Sequence, residues 1–131
     1  DQRQDRIRLE AEAVLLILGH CEAGVWQWIS SVTVEEEVNH PPSRERQSRV
    51  RSMLSGVHGT VALTDAAVAR AQELKAMGFR TYDALHLACA EEARADVFLT
   101  TDDRVCRIAT RHTEQLKVHV ANPLDWLLEV I

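Results

Sequence analysis

The feature that most constrains the fold is a short run of apolar residues, Val97, Phe98 and Leu99, between two segments of helical composition. An unbroken apolar run of this length is typical of a central strand that is buried on both faces. Other short apolar segments alternate with helical segments along the chain. Because strands joined through helices pair in parallel, the pattern predicts an α/β fold, a three-layer α/β/α sandwich with a central parallel sheet.

Local signals place the individual elements. Thr81 is expected to cap the helix that follows it, and Gly24 and Gly78 are expected to end the helices before them. The predicted helices are Arg6–Glu22, Val32–Asn39, Ser43–Leu54, the segment from Thr64-Asp65 to Gly78, Tyr82–Arg94, Arg104–Arg111 and Pro123–Leu128. The predicted strands are Val25–Ser30, Val61–Leu63, Asp96–Thr100 and Lys117–Val120.

Length and composition indicate one domain over residues 1–131, because a chain of 131 residues supports a single hydrophobic core. The longest apolar run, Ala13–Leu18, is far shorter than the roughly 20 residues of a membrane helix and precedes no signal-peptide cleavage pattern. The cysteines, Cys21, Cys89 and Cys106, are odd in number and far apart, which favours free thiols in a reducing compartment. We therefore expect a cytoplasmic protein with no membrane segment.

The net charge of -5 argues against binding a polyanion by bulk charge alone. Such a substrate would need bound cations or local basic patches. Arg104, Arg107 and Arg111 fall on one face of a predicted helix, and a second arginine cluster lies in Arg44–Arg51. Either cluster could meet phosphates, and either could be a solvated face with ion pairs to nearby glutamates.

Acidic residues follow the predicted strands at the edge where a parallel sheet places its reactive crevice. Asp102 comes shortly after the strand that ends near Leu99, and Glu35–Glu37 follow the strand that ends near Ser30. Asp83 lies in the first turn of a predicted helix, where the helix dipole favours a negative charge. Three separate segments can therefore bring carboxylates to one crevice.

Carboxylates that converge in this way repel one another unless a hard divalent cation coordinates their oxygens. The pattern therefore favours Mg²⁺ or Mn²⁺, which lowers the pKa of a bound water and offsets charge on phosphate oxygens. Acids in these positions are also common in solvated loops and helix caps, and spacing alone leaves both interpretations open.

Two motifs narrow the choice. The segment Thr81–Ala88, TYDALHLA, followed by Asp96–Asp102, DVFLTTD, closely resembles the second half of PIN-domain proteins. This family includes the toxin ribonucleases of VapBC-type toxin-antitoxin pairs. The resemblance extends more loosely over nearly the whole chain and implies a PIN-like fold and a metal-dependent nuclease.

The resemblance also assigns metal ligands. The acid at the start of the family's D-A-L helix falls on Asp83, and the acid of its T-x-D strand exit falls on Asp102. The family's acid in the helix after the second strand falls on Glu36, with Glu35 and Glu37 as alternatives one residue away.

The remaining polar candidates lie next to these acids. Thr100 matches the family's hydroxyl residue at the strand exit, where it would orient a carboxylate or a metal-bound water. Asp103 is expected to be a helix cap. His86 and Cys89 lie one helical turn apart, but no second pair has zinc-ligand spacing, so core packing is favoured for them.

The chain departs from the family pattern at its start. PIN domains usually open with a strand that ends in a metal-binding aspartate, whereas this sequence begins at the following helix. We expect that first strand, which is missing from this chain, to belong to an upstream segment.

The expected function, as the resemblance implies it, is that of a metal-dependent endoribonuclease that is the toxin of a toxin-antitoxin pair. The resemblance implies an RNA substrate, an antitoxin partner and a homodimer. The first alternative is a catalytically silent PIN-like module for protein interaction, and the second is a metal-dependent phosphatase.

Overall fold

A computed structural model describes residues 2–31 and 59–131 of the chain. The helices in this part are α1 (Gln2–Glu22), α2 (Asp65–Met77), α3 (Thr81–Glu92), α4 (Asp103–Arg111) and α5 (Pro123–Val130). The strands are β1 (Ile29–Ser31), β2 (Gly59–Val61), β3 (Val97–Leu99) and β4 (His119–Ala121). β1 pairs with β2 and β3 pairs with β4, both in parallel. The predicted α/β class with parallel strands is therefore confirmed, while the predicted helices within residues 32–54 lie outside the described residues.

These elements group into two compact units. The first unit consists of Asp1–Trp26 and Asp96–Ile131, and the second of Gln27–Ala95. The first unit thus holds α1, β3, α4, β4 and α5, and the second holds β1, β2, α2 and α3. The single domain over residues 1–131 stays a prediction.

The core of the first unit forms where α1 packs on α5 and α4 packs on β4. Ala13, Ile17 and Cys21 recur at helical spacing on α1 and are buried, as is Leu127 of α5. At the C-terminal end of α1, the ring of Trp26 stacks on His20, with centroids 4.7 Å apart, and makes a T-shaped contact with the ring of Trp126, with centroids 4.8 Å apart.

The core of the second unit is the interface of α2 and α3. It is rich in alanine, and the small side chains allow the two helices to approach closely; its buried members are Ala67, Ala71, Leu74, Ala84, Leu87 and Ala88. α2 ends at Gly78, as predicted, with a left-handed φ of 119° and its N–H bonded to carbonyl oxygens of the last turn. An ion pair between Arg70 of α2 and Glu91 of α3 joins the helices at 2.7 Å.

Three predicted strands are shifted in the structure. Val25–Ser30 was the predicted span of the first strand, but the N–H of Val25 bonds to the carbonyl of His20 at 2.9 Å in the turn that ends α1. β1 therefore begins only at Ile29, where its partner β2 is available. The strands predicted at Val61–Leu63 and Lys117–Val120 lie instead at Gly59–Val61 and His119–Ala121. The reason is the same, since pairing partners and not apolar character set the ends of strands.

β3 differs from its prediction in burial. Its residues are half-buried, not fully buried, and within the described residues it pairs with one neighbouring strand, β4. In the described part of the chain, no helix combines the length and the apolar character needed to cross a membrane.

Candidate functional site

The junction between β3 and α4 carries two of the predicted site residues, Thr100 and Asp102. The N–H of Thr100 donates to the carbonyl of Ala121 at 2.9 Å, which continues the β3–β4 ladder by one residue. The side-chain Oγ1 of Thr100 then accepts a hydrogen bond from the N–H of Asp102 at 3.1 Å. Thr100 thus fixes the backbone of Asp102 directly after the strand.

Asp102 is the N-cap of α4. Its Oδ1 accepts hydrogen bonds from the N–H groups of Arg104 at 2.9 Å and Val105 at 3.4 Å. Oδ2 makes no hydrogen bond with the described residues, and the side chain is exposed. The carboxylate is therefore held by one oxygen and presents the other outward.

The predicted role of Asp103 as a helix cap is wrong. Asp103 is the first residue of α4, and its carboxylate binds the guanidinium of Arg6 at 2.7 and 3.4 Å. The hydrogen bond and charge of Asp103 raise the pKa of Arg6. The two neighbouring aspartates consequently have different roles, because one caps the helix and the other is bound to a cation from α1.

Glu10 and Asn122 form a buried polar contact that the sequence did not reveal. The side-chain amide of Asn122 donates to Glu10, and Arg6 lies 3.5 Å from the same carboxylate. Asn122 follows β4 and caps α5, since its Oδ1 accepts from the N–H of Leu124 at 2.8 Å. An asparagine placed before a proline was the signal for the cap. Glu10 gave no signal, because it lies in a helix with many charged residues.

Cys106 of α4 lies close to the carboxyl end of β3, and nearby charges affect the pKa of its thiol. Its thiol is 3.9 Å from the carbonyl oxygen of Thr100, within hydrogen-bond range for sulfur. Burial raises the pKa of the thiol, and the negative charges of Asp103, Asp102 and Asp125 raise it further. The charge of Arg6 acts in the opposite direction and lowers the pKa, so that this thiol at the carboxyl end of β3 is affected by acids and by a base.

Asp83 belongs to the second unit. It is the third residue of α3, whose N-cap is Arg80 and has no side-chain capping bond, so the predicted cap at Thr81 is wrong. The Asp83 side chain is half-buried and makes no hydrogen bond or ion pair with the described residues. Its carboxylate is thus available in the first turn of a helix, where the dipole stabilises negative charge.

The third predicted ligand, Glu36, lies outside the described residues together with Glu35 and Glu37. Across residues 2–31 and 59–131, no group of three or more histidine, cysteine, aspartate or glutamate side chains has the geometry of a metal site. Cys89 is buried within α3, in keeping with the expected packing role. Asp102 and Asp83 offer hard oxygen donors, the type that Mg²⁺ and Mn²⁺ prefer.

Comparison with known proteins assigns a family to this arrangement. The model of the family described as PIN domain matches residues 7–111, which is most of the chain. Among curated proteins and among solved structures, no match was found.

Proposed function

The chain belongs to the PIN domain family, and from this membership we propose that it is a metal-dependent endoribonuclease that hydrolyses phosphodiester bonds in RNA. PIN domains are generally nucleases. The observation that carries the proposal is the state of Asp102, which caps α4 through Oδ1 and keeps Oδ2 without a hydrogen bond to the described residues. A purely structural cap needs only one oxygen.

The proposed metal ligands are Glu36, Asp83 and Asp102, and the proposed ion is Mg²⁺ or Mn²⁺. Asp83 supports this set because its half-buried carboxylate has no partner in the described part of the chain. When bound, such an ion lowers the pKa of a water molecule and offsets charge on the phosphate oxygens. Hydrolysis then forms a bond from water oxygen to phosphorus and breaks the bond to the leaving ribose oxygen, which takes up a proton.

Thr100 is proposed as a catalytic-site residue that acts through Asp102. Its hydroxyl oxygen accepts from the Asp102 N–H and its own N–H is anchored on β4. These two hydrogen bonds fix the backbone between β3 and Asp102, and thereby the orientation of the Asp102 side chain. Precise positioning of a charged ligand matters because small displacements reduce catalysis strongly.

The proposal also covers the domain architecture, the compartment and the partners of the protein. The family membership supports a single domain that is a three-layer α/β/α sandwich. We further propose, from the resemblance of TYDALHLA and DVFLTTD, that the chain is a VapBC-type toxin that acts in the cytoplasm, is bound by an antitoxin and forms a homodimer. A gene for a small DNA-binding antitoxin next to this one would favour the toxin role.

The test is cleavage of labelled single-stranded RNA by the full-length protein with Mg²⁺ or Mn²⁺, and again with EDTA. The variants are Asp83→Asn and Asp102→Asn, which remove charge with little change in shape. Asparagine also caps helices as well as aspartate, so Asp102→Asn keeps α4 intact. The matched controls are Asp65→Asn, in the first turn of α2, and Asp96→Asn, at the opposite end of β3 from Asp102.

We expect cleavage with metal, none with EDTA, and a loss of about a hundredfold or more in both site variants, because the ion would lose a charged ligand. The two control variants should cleave like the unmodified protein. Retained metal-dependent cleavage in both site variants would refute the assignment. No cleavage of varied RNAs, together with no stabilisation by metal, would favour the silent interaction module, and turnover of small phosphoesters alone would favour the phosphatase.

A further inference from the structure

α4 has two different faces. Val105, Ile108 and Ala109 are buried, whereas Arg107 and Arg111 lie exposed on the outward face, one turn apart. Neither arginine forms an ion pair with the described residues. The alternative interpretation of this cluster, a solvated face with ion pairs to nearby acids, therefore lacks support for these two side chains within the part that the structure describes.

The absence of an ion pair at Arg107 has a specific cause. Asp103 lies four residues before Arg107, which is the favourable spacing and order for an acid and a base on one helix. Both oxygens of Asp103 instead bind Arg6, 97 residues away in sequence. The contact with α1 thus engages Asp103, which is the acidic residue of α4, and leaves the guanidinium of Arg107 available to an external anion.

Arg107 and Arg111 also repel each other, because like charges four residues apart on a helix are unfavourable. Other exposed arginines of the same unit avoid this situation by pairing, as Arg8 does with Asp5. A ligand with phosphate groups would remove the repulsion, and the planar guanidinium group binds phosphate through two parallel hydrogen bonds.

The position of the pair relates it to Asp102. With a rise of 1.5 Å per residue, Arg107 lies about 7–8 Å and Arg111 about 13–14 Å along the helix from Asp102. At 3.6 residues per turn they also lie about 140° and 180° around the helix from Asp102, so a strand that is cut at Asp102 has to pass around α4 to reach both guanidinium groups.

We propose that Arg107 and Arg111 form a phosphate-binding face that holds the backbone of single-stranded RNA on one side of the cleaved phosphodiester. The inference rests on the proposed nuclease function for the identity of the ligand. Because contacts to phosphate position a nucleic acid without reading its bases, this face contributes affinity and direction and no base preference.

The test measures RNA binding apart from cleavage. Full-length protein with Asp102→Asn is titrated, in EDTA, against a fluorescently labelled single-stranded RNA, and anisotropy is followed between about 50 and 200 mM KCl, where phosphate contacts depend strongly on salt. Two double variants are compared in this background. The first carries Arg107→Gln and Arg111→Gln, and the control carries Arg3→Gln and Arg8→Gln. Both double variants remove two positive charges from exposed positions of the first unit. Thermal melts establish that both remain folded.

We expect the α4 double variant to bind RNA roughly tenfold or more weakly at the lowest salt, and its slope of log affinity against log salt to fall by roughly 1.4, or about 0.7 per lost phosphate contact. The control double variant should keep the slope. Equal affinities and slopes for the two double variants, or no RNA binding by the Asp102→Asn protein, would overturn the proposal. If the α4 variant loses binding but the unmodified protein cleaves no RNA, the binding face stands and the proposed nuclease function fails.

Discussion

The two units use ion pairs of the same length in different surroundings. In the second unit, Arg70 and Glu91 meet at 2.7 Å with side chains 17% and 3% exposed. In the first unit, Arg6 and Asp103 meet at 2.7 Å with side chains 51% and 54% exposed. Burial determines what such a pair contributes, because water screens exposed charges and the removal of one buried partner leaves an uncompensated charge.

The comparison separates stability from function. The buried pair lies in the interface of α2 and α3, where it fixes two helices with an alanine-rich contact. The exposed pair lies beside Asp102 at the end of β3 and controls which acids and bases of α4 remain available. We therefore expect substitutions at Arg70 to affect folding most, and substitutions near Asp102 to affect activity most.

The largest effect on stability is expected from Arg70→Met. This change keeps much of the side-chain volume and leaves the Glu91 carboxylate buried without this cation, which costs about 3–5 kcal/mol of unfolding free energy. The matched control is Arg8→Met, since Arg8 and Asp5 form an exposed pair whose loss costs less than about 1 kcal/mol. Urea unfolding followed by circular dichroism measures both. Equal losses of unfolding free energy in the two variants would show that burial does not determine how much an ion pair contributes to stability.

A second prediction concerns the independence of the units. Leu74 of the second unit and Leu127 of the first are 0% and 3% exposed. Replacing either by alanine should cost about 2–5 kcal/mol, because the removed methyl groups leave a cavity. If the chain is one domain, each variant should unfold in a single transition that two probes, far-UV circular dichroism and tryptophan fluorescence, report at the same midpoint. Separate midpoints in either variant would contradict the predicted single domain.

The sequence predicted those features that depend on nearby residues. The helix stop at Gly78 and the alternation of helices with short parallel strands follow from local conformational preferences and apolar patterns. The strand ends were less accurate, since β1 and β2 begin and end where their ladder partners allow.

Contacts between distant residues escaped prediction altogether. Arg6 binds Asp103 across 97 residues, and Asn122 binds Glu10 across 112 residues. Asp103 is the first residue of α4 and binds Arg6. The N-cap is Asp102, which the resemblance had assigned as a metal ligand. Local composition could not choose between two adjacent aspartates, because either side chain can cap a helix.

The smallest predicted change in unfolding free energy concerns Asp102, and it distinguishes the structural role of this residue from its proposed chemical role. Asp102→Ala should cost about 1 kcal/mol of unfolding free energy through loss of the cap, and about 0.3–1 kcal/mol more through loss of the charge at the helix N-terminus. Asp102→Asn should lose only the second contribution, because asparagine caps equally well. Both variants should lose cleavage. Asp83→Ala provides the contrast, since Asp83 makes no hydrogen bond to the described residues and contributes only its interaction with the helix dipole, about 0.3–1 kcal/mol.

Chemical denaturation and RNA cleavage on the same preparations separate the two roles. A stable Asp102→Asn protein without cleavage would attribute the loss of activity to the missing charge at Oδ2. If cleavage instead follows stability, so that Asp102→Asn is active and only Asp102→Ala is impaired, then the contribution of Asp102 is the cap. The metal site would in that case have to be sought among the other acids.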